Sequence, residues 1–384
     1  SDLFEKFGGH SAAAGLTIKK ENLAEFKRRA EEYLSGRIFP RLFSRKKGYD
    51  MDLTCEKPAK DFFEQLELFE PCGMGNPRPR FLYRGCRLGA EPMKNYEQHL
   101  VFKLFDTSFV AFGYGAQRDV LNSSAESRLL IEFQQSAFRG KVYIKGYLRE
   151  LDYGADCPEL EGKAMANYLL QLSLPAEPPA PFEKYAFEDI GKLIGEKVEP
   201  FGTLIIAFSR QTLDHLLKSC PQLEEVKLSV FFEGDGNNLS RILLAPGHNI
   251  RVKGYKKIIF ADAPANISYI NRFAADGCRL FLPDKPPLKA GGLISLDREV
   301  FARYFRMMTD RRALAKPFED VTQYYYVVSA LFPQANLPQF AACFMVFEEL
   351  GFIRNTGGRL ERVNGVKGEL SGSEIYQRMR DLAE

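Results

Sequence analysis

Near the start of the chain, Phe7-Gly8-Gly9-His10-Ser11-Ala12-Ala13-Ala14-Gly15 sets paired glycines beside an imidazole. Adjacent glycines reach backbone angles closed to other residues and let a ligand approach main-chain amides, so such pairs often border anion sites. His10 adds a hydrogen-bonding ring there. A plain turn with a satisfied histidine is the alternative, and for an arbitrary Gly-Gly-His it is the better reading. A second group lies on one predicted strand at 141–152, where Lys141, Tyr143, Lys145, Tyr147 and Arg149 alternate with Val142, Ile144 and Leu148. A period of two puts the cations and rings on one face and the aliphatic residues on the other. Rings stack with bases while Lys and Arg follow phosphates, so the pattern suits single-stranded nucleic acid as well as an ordinary solvent face. His99 and Lys103, alternating on an earlier strand, extend the same chemistry. Arg45-Lys46-Lys47 closes an acid-free stretch from Arg37, a candidate for phosphate contact.

The elements that must hold these residues follow from periodicity. A short strand is predicted at Leu16-Thr17-Ile18. A helix from about Asn22 to Leu34 carries Leu23, Phe26, Ala30 and Leu34 on one stripe. A second helix begins near Ala59 and buries Phe62, Phe63, Leu66 and Phe69, and Pro71 with the following glycines ends it in a tight turn. Strands at 81–88, 99–106, 109–114, 128–134 and 141–152 are spaced as in a small Greek-key barrel.

Prolines between 174 and 181 mark an extended linker. Beyond it, strands at 203–208, 226–232, 256–261 and 279–283 alternate with helices at 212–220 and 266–276, the signature of a doubly wound sheet. Asp262 stands at a strand end where such folds take ligands, yet no glycine-rich nucleotide motif precedes it. From 297 to 365 the order helix, helix, helix, hairpin outlines a winged helix, whose helix at 337–350 carries Glu348 and Glu349 and is expected to pack or contact protein more than DNA.

Gly8-Gly9-His10 with Ala13-Ala14-Gly15 resembles the GGHxxAAG signature of the substrate-binding domain in DHH-family phosphoesterases. The resemblance implies that Gly8, Gly9 and His10 grip a substrate phosphate. It also implies that Mg or Mn sits on a separate domain built from aspartates and histidines. This chain has four histidines, none adjacent to another, and it opens with Ser1, so we expect the C-terminal part of a longer protein with no catalytic residue, metal ligand or cofactor of its own. Glu70-Pro71-Cys72-Gly73-Met74-Gly75-Asn76-Pro77-Arg78-Pro79-Arg80-Phe81 is similar to the segment joining the two halves of RecJ-type single-strand-specific exonucleases, a more specific likeness than the first.

The expected fold class is therefore multidomain α/β plus β: a partial DHH-associated α/β domain (1–47), connector helix and OB-type barrel (48–153), linker (154–184), helicase-like doubly wound α/β domain without an ATP motif (185–296) and winged-helix-like tail (297–384). The function implied is the DNA-handling half of a RecJ-like 5′→3′ exonuclease of repair and recombination, with single-stranded DNA as partner. The alternative is a docking module for a single-strand-binding protein. Composition bounds both readings: 384 residues, 45% hydrophobic, net charge +3, no apolar run long enough for a bilayer. Seven scattered cysteines, none in Cys-x-x-Cys spacing, indicate reduced thiols in the cytoplasm and no zinc site. A monomer is expected.

Overall fold

A computed structural model describes the chain except residues 1, 11–12, 35–47, 54–60, 85–87, 105–106, 124–126, 139–140, 153–156, 197, 233–237 and 384. Among the described residues no helix is long and apolar enough to cross a membrane.

The first unit is a hairpin with a helix. Strands β1 (Phe4–His10) and β2 (Ala13–Ile18) pair antiparallel, with Gly8 opposite Gly15 and His10 opposite Ala13. Gly8 and Gly9 therefore lie in extended strand rather than the expected loop. Gly9 is required by cross-strand proximity: a β-carbon there would lie 2.5 Å from the Ala13 carbonyl oxygen and 2.6 Å from the Ala14 α-carbon. Helix α1 (Leu23–Leu34) sets Phe26 on Phe4 with ring centroids 5.3 Å apart. Its arginines are neutralised locally: Arg28 pairs with Glu25 at 2.7 Å and Glu32 at 2.9 Å, and Arg29 with Asp2 at 2.9 Å. Exposed pairs of this kind stabilise little, but they answer the charges of 27–29.

The second unit is a curved seven-stranded sheet. Its strands are β3 (Met51–Asp52), β4 (Arg80–Arg84), β5 (Glu91–Met93), β6 (Tyr96–Leu104), β7 (Thr107–Ala111), β8 (Arg128–Phe138) and β9 (Lys141–Asp152), in the order β3-β4-β8-β9-β7-β6-β5. Every predicted strand of this region is present, joined by two short ones, β3 and β5. Its interior is aromatic. Phe81, Phe102, Phe109 and Phe133 are buried with Leu129, Ile131 and Leu148, and α2 (Phe62–Glu67) closes one end by laying Phe62 and Phe63 edge-on to Phe133. Small α3 (Arg118–Ser123) closes another.

The connector between α2 and β4 is pinned by its own polar groups. Asn76 donates its amide to the carbonyls of Phe69 (2.8 Å) and Pro71 (3.1 Å), and Glu70 accepts from the Cys72 amide and from Arg78. The Cys72 amide and the Arg78 guanidinium hold the Glu70 carboxyl below its ordinary range. This rigid loop presents Leu68 and a fully exposed Met74 to solvent, and also Phe69, expected to be buried, which lies past the end of α2 and is half exposed.

The third unit is built on a six-stranded, wholly parallel sheet, in the order β10-β15-β14-β11-β13-β12. The strands are β10 (Glu183–Tyr185), β11 (Thr203–Ala207), β12 (Lys227–Val230), β13 (Arg241–Leu244), β14 (Lys257–Phe260) and β15 (Arg279–Pro283). Alternation along central β11 sends Leu204 and Ile206 into one core and Ile205 and Ala207 into the other. Burial on both faces is what a parallel sheet requires. Helices α5 (Ile190–Ile194) and α6 (Arg210–Ser219) cover the second face. The first is covered by α7 (Arg298–Met308), α8 (Arg311–Leu314), α9 (Val321–Leu331), α10 (Leu337–Glu349) and α11 (Glu374–Ala383), so one apolar cluster runs from Ala166 to Leu382. The hairpin of β16 (Ile353–Asn355) and β17 (Leu360–Arg362) follows α10.

Two expectations need correction here. The linker expected at 154–184 holds α4 (Pro158–Leu169), which buries Leu160, Ala164, Ala166, Tyr168 and Leu169 between both cores, and in its extended, proline-rich part Leu174 and Ala180 pack on the first core. The helix expected at 266–276 is a single 3-10 stretch, Ile267–Arg272, capped by Asn266.

Candidate nucleic-acid interface

The residues singled out on the barrel come together through strand register. Lys145 is the cross-strand partner of Ser108, and Ser108 that of Lys103, so two lysines stand in one row on the same outer face. The next row joins Tyr147 to Val110 and Val110 to Val101, while Gln134 and Glu132 of β8 flank Lys145 and Tyr147. Tyr143, Lys145 and Lys103 are exposed. Gly146 between them points inward because the Phe109 ring occupies the space a side chain would take.

From Tyr147 a chain of rings crosses the sheet. Phe112 lies 6.2 Å from Tyr147 with planes 21° apart, His99 is 5.1 Å from Phe112, and Tyr96 is 6.3 Å from His99 at 20°. Phe112 and Tyr96 are more than half exposed, at 53% and 55%, and keep free faces on which a base could stack. The Gly113 amide donates to His99 Nδ1 at 3.0 Å, so in the neutral ring the proton rests on Nε2 as a donor. Sequence reasoning did not find Phe112 or Tyr96, since Phe112 lies one residue past β7 and Tyr96 is off the alternation of His99 and Lys103; aromatic residues clustered at the ends of adjacent strands were the available signal.

The alternation predicted for β9 holds through Tyr147 and then slips. Ile131 pairs with Leu148 but Leu130 with Glu150, leaving Arg149 as the extra residue of a bulge. Arg149 leans over the Tyr147 ring at 5.3 Å and donates to Glu132 at 2.8 and 3.2 Å, so a phosphate would have to compete with that carboxylate. Burial pushes the Glu132 carboxyl up, but the bonds from Arg149 and Gln134 outweigh it and hold the group below its ordinary value. Lys141 opens β9 opposite Phe138. Arg45, Lys46 and Lys47 lie outside the described residues.

Gly8, Gly9 and His10 sit on a separate sheet. His10 is exposed at the end of β1, and α1 leans towards the third unit through Glu31, which accepts from Asn238 at 2.8 Å. Among the described residues no His, Cys, Asp or Glu group is arranged to hold a metal ion. Asp262, fully buried past the end of β14, accepts from the Phe208 amide (2.8 Å), the Thr212 hydroxyl (2.6 Å) and Lys285 (3.0 Å). A carboxylate of the protein thus takes up the Phe208 amide and the Thr212 hydroxyl beside the start of α6.

The family model for the RecJ OB domain matches residues 49–150. Single-stranded-DNA-specific exonuclease RecJ of Thermus thermophilus is 33% identical over 115 residues, and that of Bacillus subtilis 28% over 81. These stretches cover 30% and 21% of this chain but only 16% and 10% of those proteins. The crystal structure of RecJ with Mn2+ from Thermus thermophilus aligns with 90% of this chain and 41% of that one, at 16% identity and a TM-score of 0.28, too slight a likeness to assign any arrangement. The likeness to RecJ proteins thus rests on residues 49–150, where the RecJ OB domain model matches.

Proposed function

We propose that this chain is the DNA-handling part of a RecJ-like single-strand-specific 5′→3′ exonuclease of DNA repair and recombination, acting in the cytoplasm, and that single-stranded DNA lies across the outer face of the barrel. The observation carrying this reading is the ring chain Tyr147-Phe112-His99-Tyr96 beside the Lys145–Lys103 row, on a domain whose relatives are named for single-stranded DNA. Bases stack on the rings, and the lysines follow the backbone. Gly8, Gly9 and His10 contact a substrate phosphate at a second point, and hydrolysis belongs to metals held outside the described residues.

Anisotropy of a labelled oligothymidylate against this chain, repeated over a range of salt, tests the reading. Binding that weakens steeply with salt and is weakened again in Tyr147→Ala supports it; no binding at low salt refutes it. A protein-docking role for the connector, with a single-strand-binding protein as partner, is the second reading, favoured by Leu68 (84% exposed) and Met74 (100% exposed) on a pinned loop. Capture of that partner by a chain that binds no oligonucleotide would favour it instead.

A further inference from the structure

We infer that the C-terminal lobe carries a second surface, with no ring among its exposed side chains, that grips the sugar-phosphate backbone of nucleic acid, duplex included. The sequence holds five cations and one acid in 303–316, and three cations and one acid in 353–363. Folding brings the two segments together. Arg362 of β17 lies over the ring of Phe305 on α7 at 5.5 Å, beside Arg306, and the Phe318 amide donates to the Gly358 carbonyl at 2.9 Å, tying the stretch after Lys316 to the hairpin turn that carries Arg359. Arg306, Arg311, Lys316, Arg354, Arg359 and Arg362 are all exposed. Among the described residues none of the six has a carboxylate within ion-pair distance, whereas their neighbour Arg312 pairs with Asp310 at 3.0 Å and α1 answers its arginines the same way. Of the acids close by, Asp320 is spent on capping α9, and Glu361 faces Arg354 across the hairpin without pairing; Glu319 remains exposed.

The chemistry favours nucleic acid over other polyanions. Guanidinium forks match phosphate oxygens two at a time. A membrane surface or an acidic peptide would need apolar anchors as well; Ile267 and Val366 are exposed to either side, but from 306 to 362, the span of the six cations, no large hydrophobic side chain is exposed. Without rings the surface cannot tell bases apart or demand that they be unstacked, so it takes the backbone of either strandedness. Helix α10 takes no part, since eleven of its residues are buried.

The test uses the full chain and a labelled duplex of mixed sequence, with Arg306→Gln/Lys316→Gln/Arg359→Gln as variant, three positions that pack on no ring. The variant should melt as the parent does, bind duplex about tenfold more weakly at low salt, and show a salt slope smaller by about 0.9 for each phosphate no longer neutralised. Tyr147→Ala should leave duplex binding unchanged, which separates this surface from the barrel. Parent chain that ignores duplex at low salt, or a variant with unaltered affinity and slope, overturns the inference. So does a loss seen only on phosphatidylglycerol vesicles or on polyglutamate.

Discussion

At Tyr147 a barrel wall and a base-stacking ring make different demands, and substitution separates them. Tyr147→Ala or Phe112→Ala should weaken single-strand binding by about 1–3 kcal/mol whatever the base sequence, read by anisotropy, with little loss of stability because both rings lie on the outer face. Lys145→Ala should instead lower the salt slope by about 0.7, the value for one phosphate on a single strand. Gly146→Ala, one residue away and inward, should leave the ligand-facing side chains untouched and cost about 1–3 kcal/mol of stability by overpacking against Phe109, read by denaturant titration. Glu132 supplies a pH effect. Its folded pKa lies below the unfolded one, so its contribution is complete above the ordinary carboxylate value of 4.5 and fades as pH falls through the lower, folded value. Glu132→Gln should therefore flatten the acid limb of the stability profile, and it would also release Arg149 towards DNA.

Elements were legible where the period was clean. The two-residue alternation of β9 put Tyr143, Lys145 and Tyr147 on one face without knowledge of any partner strand. The slip at Arg149 was not legible, because a bulge belongs to the pairing with β8 and not to β9 itself. The same holds for Phe112 and Tyr96, which meet His99 only through the register of β6 and β7. Strand β13 escaped notice because its four buried residues stand between a polar, glycine-containing run and Pro246-Gly247. Helix α4 escaped because it is apolar around much of its circumference and shows no single stripe. For the connector, Asn76→Ala removes two hydrogen bonds that hold the turn and should make the 68–79 loop more open to protease than the parent. The same variant should lose any partner that reads Met74.

At the scale of the whole molecule, the barrel meets the α/β unit at Leu151, which packs against both of their cores, and at Gln117, which donates to the Val230 carbonyl at 3.1 Å. His10→Ala, far in sequence from these cores, should leave thermal melting unchanged while slowing cleavage by the intact enzyme more than tenfold, the consequence of about 1.5–3 kcal/mol for a charged hydrogen bond. Loss of stability with full cleavage would make His10 a structural residue. In the third unit, Asp262→Ala strands Lys285 and two amides around a vacated buried position and should cost roughly 3–5 kcal/mol, read by thermal melting.

That inward-turned carboxylate also bears on what the lobe could hold. With Asp262 already accepting from the Phe208 amide, the Thr212 hydroxyl and Lys285, an incoming phosphate there would meet a buried negative charge and find those donors taken.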